Sequence, residues 1–174
     1  IAPVEENLAA MRGTLTHRFL CLLPLDGLRT AVEKDQLAEY IKEELQRMVK
    51  ENILQPEEAA LIHQRRVCAF FESDLGRRML KSNRVEREWS FNLRIHQPMD
   101  TIVQGVIDLC FLEDDQWVLV DFKTDRVTEA TAPDRSELYR PQLETYAEAL
   151  SRIYEMSVKQ KLLYFFQLDK FVEL

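Results

Sequence analysis

Glycine is scarce in this chain of 174 residues, which contains only four. They are too far apart to form either the G-x-G-x-x-G loop of dinucleotide-binding proteins or the G-x-x-x-x-G-K-[ST] loop that binds ATP phosphates. The sequence therefore predicts no nucleotide site in this domain.

Cysteine and long apolar runs are also scarce. Cys21, Cys68 and Cys110 lie far apart and lack the C-x-x-C spacing of zinc sites and iron–sulfur clusters, so neither is expected. Such isolated cysteines are typical of reduced thiols in a cytoplasmic protein. The apolar run 19–23 stops at Pro24 and is far shorter than the ~20 residues of a membrane-spanning helix, so no membrane segment is expected.

Composition favours an ordinary globular protein. Hydrophobic residues make up 46% of the chain and charged residues 30%, which indicates one domain over residues 1–174. The net charge of −7 argues against capture of nucleic acid by bulk electrostatics. Several basic residues group between 77 and 87, and a solvated helix surface is the favoured interpretation of that group.

Two kinds of hydrophobic periodicity divide the chain into a helical region, 1–84, and a sheet-and-helix core, 85–174. Spacings of three and four predict helices in the first region, at about 6–22, 37–52, 56–71 and 76–81, with a turn at 24–30. Alternation begins at Val85 and predicts strands, at 85–93, 102–112, 117–123 and 161–167, with a helix at 136–154. The fold class is therefore α/β (α+β), with a central mixed β-sheet flanked by helices.

Charged residues interrupt the apolar strands at two points. Asp121 and Lys123 end the third strand on the same face, with Cα atoms about 6.6 Å apart. The acidic turn at 113–116 predicts a hairpin that brings Asp108, on the preceding strand, next to Asp121. Two carboxylates on adjacent strands are suited to Mg²⁺ or Mn²⁺, and burying them without a partner would be costly.

A helix downstream carries Gln142 and Tyr146 at one-turn spacing, which puts both on one face. The D-x-K triplet alone is common by chance in chains of this length. Three features make the triplet specific: its position at the end of a strand, the upstream G-x-x-D at 105–108 and the downstream Q-x-x-x-Y at 142–146.

In this order, the three motifs resemble the PD-(D/E)xK nuclease superfamily and its RecB-type branch. Further segments are similar to the carboxyl-terminal nuclease domain of AddA-type helicase-nucleases, at 12–20, 88–91, 105–108, 121–126 and 139–150. The resemblance implies a restriction-endonuclease-like core with an N-terminal helical region. It also implies that the chain is part of a longer polypeptide with an ATP-dependent helicase region upstream.

The resemblance also implies a metal site and a catalytic set. His17, Asp108, Asp121 and the backbone carbonyl of Phe122 would hold Mg²⁺, for which Mn²⁺ is a possible substitute. Asp108, Asp121 and Lys123 would be catalytic, with Lys123 orienting or deprotonating the attacking water.

Other residues have supporting roles by resemblance, each with a plainer alternative. Glu88 lies at the edge of the site, where a metal or water role and a salt bridge are both open. Gln142 and Tyr146 would touch the DNA backbone, although Tyr146 also fits an aromatic core stripe. Thr124 and Arg126 follow the lysine and would contact phosphate, while an ion pair with Asp125 is an equal explanation for Arg126.

The expected function is metal-dependent hydrolysis of phosphodiester bonds in single-stranded DNA, as an exonuclease or endonuclease that leaves 5′-phosphate ends. By resemblance, this belongs to double-strand-break processing and recombinational repair, beside an AddB-like partner protein. The alternative is a catalytically inactive DNA-binding or interaction module in a repair complex. His63 and His96 match no motif, so no role is predicted for either.

Overall fold

The computed structural model describes residues 4–95, 101–124 and 126–174. His96 and Asp125 lie outside the described residues. The helices and strands form two compact units. The first unit comprises Ile1–Lys81, Lys123–Arg126 and Phe165–Asp169, and the second comprises Ser82–Phe122, Val127–Tyr164 and Lys170–Leu174. The single domain over 1–174 stays a prediction.

The first unit is helical. Its helices are α1 (Val4–Leu22), α2 (Leu25–Glu33), α3 (Leu37–Lys50), α4 (Pro56–Leu61), α5 (Gln64–Glu72) and α6 (Asp74–Lys81). Their apolar faces meet in a core in which large side chains such as Phe19, Ile41 and Phe70 are at most 1% exposed. Burial of this apolar surface is the main favourable term in folding.

Two expectations for this unit were wrong. The predicted turn at 24–30 is a helix, α2, in which Gly27 gives space to a neighbouring side chain: a Cβ there would lie 2.2 Å from the Tyr40 hydroxyl oxygen. The predicted helix at 56–71 begins at Pro56, as expected, but it is broken between α4 and α5. Ile62 there is extended, with φ −81° and ψ 119°, and its side chain is 4% exposed.

The second unit is built on a five-stranded mixed sheet in the order β1-β2-β3-β4-β5. The strands are β1 (Val85–Ile95), β2 (Thr101–Glu113), β3 (Gln116–Lys123), β4 (Val158–Phe165) and β5 (Lys170–Glu173). Antiparallel pairing joins β1 to β2 and β2 to β3 in a meander, and the β2–β3 pair confirms the predicted hairpin. The predicted fold class is confirmed, although β5 was not predicted.

The helix predicted at 136–154 is two helices, α7 (Ala132–Glu137) and α8 (Arg140–Tyr154). Pro141 explains the break, because proline lacks the backbone N–H that would continue the ladder and suits the first turn of a new helix. Aromatic contacts pack α8 on the sheet: Tyr154 lies 4.9 Å from Trp117 and 5.3 Å from Trp89, measured between ring centroids. No helix in the described part of the chain is long and apolar enough to cross a membrane.

Candidate active site

Strand register places three acidic residues in one row across β1, β2 and β3. The pairs Arg87–Leu109 and Trp89–Ile107 flank Glu88, so Glu88 stands opposite Asp108. The last pair between β2 and β3 is Leu109–Val120, and the next position along puts Asp108 opposite Asp121. Because residues opposite each other in neighbouring strands project on the same face, the three carboxylates share one side of the sheet.

Glu88 has an unusual backbone conformation for a strand residue. Its φ is 49°, in the left-handed region, and it has no ladder pair between Arg87 and Trp89. Glu88 and Asp108 each present a carboxylate oxygen, and these oxygens lie within 4.8 Å of one another. A non-glycine residue at positive φ inside a strand stores strain, and such residues concentrate at functional sites.

Asp108 and Asp121 are held by the sheet itself. The Phe122 backbone N–H donates a hydrogen bond of 2.8 Å to Asp108 Oδ2, which fixes that carboxylate against β3. Asp121 is only 4% exposed, in a strand whose preceding residues Val118 and Val120 are fully buried. Carboxylates in so apolar a setting are stabilised by a nearby cation, because loss of hydration otherwise disfavours their charged form.

A glycine and two aromatic residues shape the sheet beside this row. A Cβ at Gly105 would lie 2.8 Å from ring atoms of both Phe91 and Tyr146. The Phe91 and Tyr146 rings meet edge to face, with centroids 5.5 Å apart. The Gln142 side-chain amide donates a hydrogen bond of 2.9 Å to the Tyr146 hydroxyl, so this predicted pair is in contact. The glycine of the G-x-x-D motif therefore lets α8 approach β2 closely.

The remaining predicted residues lie in the first unit. His17 is half-buried on α1. Lys123 is the last residue of β3, and its backbone carbonyl accepts a hydrogen bond of 3.0 Å from the Phe166 N–H. The next residue, Thr124, packs against α1, since a Cβ at Gly13 would lie 2.6 Å from its Oγ1.

Thr124 and Arg126 line a cavity in the first unit together with three residues for which no role was predicted, Arg12, His63 and Arg66. These residues come from segments far apart in the sequence. No local pattern identifies such a cluster, so sequence reasoning missed it.

The PD-(D/E)XK nuclease superfamily model matches residues 2–173 of this chain. An ATP-dependent helicase/nuclease subunit from Clostridium perfringens (strain ATCC 13124) is 36% identical over 183 residues, covering 95% of this chain and 14% of that protein. A protein of the same name from Thermoanaerobacter sp. (strain X514) is 35% identical over 170 residues, covering 91% of this chain and 13% of that protein. The corresponding protein from Clostridium botulinum (strain Loch Maree) is 32% identical over 176 residues, covering 94% and 13%. The chain thus spans 13–14% of the length of these relatives.

Proposed function

This chain belongs to the PD-(D/E)XK nuclease superfamily, and from that membership we propose that it hydrolyses phosphodiester bonds of single-stranded DNA with the help of a divalent cation. The observation that carries the proposal is the row of Glu88, Asp108 and Asp121 on three adjacent strands. The strained backbone at Glu88 supports it, because a purely structural strand has no need of a left-handed glutamate.

The donor set fits Mg²⁺, with Mn²⁺ as a substitute. Carboxylate oxygens are the ligands that these hard cations prefer, and two of them lie within 4.8 Å of one another in Glu88 and Asp108. This distance supports Asp108 as a carboxylate ligand. Asp121 is proposed as the second because it stands opposite Asp108 on the neighbouring strand, with His17 and the Phe122 carbonyl added on the strength of the family resemblance. When bound, the cation would neutralise charge on the phosphoryl group and lower the pKa of a water.

The chain's own residues supply the other parts of the reaction. Lys123 follows Asp121 by two positions on β3, and its ammonium group is the proposed group that orients the attacking water and stabilises negative charge in the transition state. The hydrogen-bonded pair Gln142–Tyr146 is held against the sheet by Phe91 and is proposed to contact the DNA backbone. The expected product carries a 5′-phosphate.

The relatives are named helicase/nuclease subunits, and this supports a place for the chain beside a DNA motor. We propose that an ATP-dependent helicase region of the same polypeptide delivers single strands to this site, together with an AddB-like partner protein, in double-strand-break processing. Delivery by a motor explains how a chain of net charge −7 acts on a polyanion.

End-labelled single-stranded DNA incubated with the purified protein tests the proposal. Cutting is expected in Mg²⁺ or Mn²⁺ and not in EDTA. Asp108→Asn and Lys123→Met should each lower the rate by about 10²-fold or more, since positioned acid–base groups contribute 10²–10⁴-fold. Exposed residues of the same types provide matched controls, Asp134→Asn and Lys42→Met, which should cut at the wild-type rate.

Two results would overturn this assignment. The first is cutting that survives EDTA or both site substitutions. The second is a wild-type protein that neither cuts DNA nor binds Mn²⁺ in isothermal titration, which would identify a catalytically inactive module instead. A folded state should be verified for every variant by circular dichroism.

A further inference from the structure

The first unit contains a cavity of about 80 Å³ with a strongly basic lining. Its guanidinium groups belong to Arg12 on α1, Arg66 on α5 and Arg126 in the segment that follows β3. Thr16 and Thr124 add hydroxyl groups, and the described lining residues include no aspartate or glutamate. The cavity has room for several waters or for one tetrahedral oxyanion.

Two arginines of this basic pocket are held in different ways. Arg66 Nη1 donates a hydrogen bond of 2.6 Å to the Phe166 carbonyl, which fixes the Arg66 side chain at the pocket wall. Arg12 Nε is buried and has no hydrogen-bond partner within the described part of the chain. A buried donor without a partner costs about 1–3 kcal/mol, so an anion that accepts its hydrogen bond is favoured.

The electrostatics of His63 are consistent with this concentration of positive charge. Burial lowers the pKa of His63, and the nearby Arg12 and Arg66 guanidinium groups lower it further. Both effects favour the neutral imidazole of His63, which has one ring N–H to donate. Two guanidinium groups this close to one imidazole repel each other, and an anion between them would reduce that repulsion.

We propose that this basic pocket binds one phosphate of the DNA strand. The proposal rests on the proposed function and adds a binding site to it. Arginine forks match the oxygens of a phosphate in geometry and charge, whereas the small polar cavity does not suit a base. Thr124 directly follows Lys123 in the sequence, and the phosphate assigned to the pocket is a non-scissile one, because the proposed metal ligands are not among the residues that line it.

Fluorescence anisotropy with labelled single-stranded DNA in EDTA measures this binding without cutting. Arg12→Gln and Arg126→Gln should each raise Kd about tenfold, the value of one charge-assisted hydrogen bond. Each should also reduce the slope of log K against log[salt] by about 0.7, which corresponds to one phosphate contact on a single strand. Arg126 is exposed, so its replacement is not expected to affect folding.

Arg47→Gln is the matched control, because it removes the same charge from a helix of the same unit, where Arg47 pairs with Glu44 and Glu51. It should leave Kd and slope unchanged. The proposal is overturned if the pocket variants behave like Arg47→Gln. It is also overturned if inorganic phosphate raises the melting temperature of the wild type but not of Arg12→Gln, while both proteins bind DNA with the same Kd. The site would then hold free anions only.

The cutting assay keeps this proposal separate from the proposed function. A wild-type protein that binds DNA with the expected dependence on Arg12 and Arg126, but neither cuts in Mg²⁺ nor binds Mn²⁺, supports the pocket and contradicts the nuclease. A protein that cuts, with pocket variants of unchanged affinity and salt slope, contradicts the pocket alone.

Discussion

The strained backbone at Glu88 predicts which of two substitutions is more stable. At Glu88 the glycine variant should be more stable than the alanine variant, and at the neighbouring Glu86 the order should be reversed. Alanine and glycine both remove the carboxylate of Glu88, so the difference between the two variants reports on the backbone alone. The φ of 49° suits glycine and disfavours alanine. At Glu86, two residues earlier on β1 and paired regularly with Cys110, alanine is the better residue.

The size of the difference follows from two opposing terms. Left-handed backbone costs an L-residue about 1–2 kcal/mol, whereas glycine costs about 0.5–1 kcal/mol in lost chain entropy. Glu88→Gly should therefore be more stable than Glu88→Ala by about 0.5–1 kcal/mol, and Glu86→Gly less stable than Glu86→Ala by a similar amount. For a chain of this size, such differences move the melting temperature by about 1–4 °C.

Calorimetry or thermal circular dichroism of the four variants, in EDTA and at one pH, measures both differences. Comparing alanine with glycine at each position cancels whatever contacts the glutamate side chains make. The reasoning is refuted if glycine destabilises position 88 relative to alanine as it does position 86, because Glu88 would then have ordinary strand geometry in solution.

Three further outcomes follow from the packing and the pKa shifts. Gly105→Ala should lower the free energy of unfolding by about 1–3 kcal/mol, since its Cβ would meet two aromatic rings at 2.8 Å; chemical denaturation measures this, and an unchanged midpoint contradicts the close approach. The folded-state pKa of His63 lies below its ordinary value because of burial and the charges of Arg12 and Arg66. The unfolded chain therefore binds more protons as pH falls below about 6.5, and stability decreases there; His63→Gln should flatten this acid-side decrease in a pH series of melting temperatures, and an unaltered profile would contradict it. Burial raises the pKa of the Cys110 thiol to about 12. This thiol should therefore react with a disulfide reagent at pH 8 only when the protein unfolds. Rapid labelling of Cys110 in the native protein would contradict this.

Alternation predicted β1 well, because Phe91 and Leu93 are buried while Asn92 and Arg94 are exposed. In β3 six consecutive residues are buried, and there the apolar run that follows the acidic turn is the signal. The helices were predicted less accurately, at the turn expected for 24–30 and at the break within 56–71. Gly27 and Gly76 lie inside helices, and a Cβ at Gly76 would come within 2.1 Å of the Phe70 carbonyl oxygen. None of the four glycines has a positive φ. In this chain, glycine permits close packing.

The parts of the candidate site that were predictable are those carried by a single hairpin. The D-x-K and G-x-x-D motifs place Asp108 and Asp121 opposite each other through short-range pairing, which sequence spacing encodes. The left-handed backbone at Glu88 and the basic pocket around Arg12 depend on tertiary contacts between distant segments. Such features leave no periodic signal in the sequence, and they emerged only from the structure.

The hairpin between β2 and β3 turns through only two residues, Asp114 and Asp115, whose φ values of 51° and 58° fit a type I′ turn. The pair Glu113–Gln116 closes this turn, and the carboxylates of Asp108 and Asp121 lie five residues farther along, about 17 Å away. Asp114 is 83% exposed, and its carboxylate pairs with Lys159 Nζ at 2.9 Å. One inserted residue would nevertheless slide β3 by a single position and rotate Asp121 to the opposite face of the sheet. The length of a solvent-exposed turn therefore sets the positions of two carboxylates about 17 Å away, because it fixes the register of the two strands that carry them.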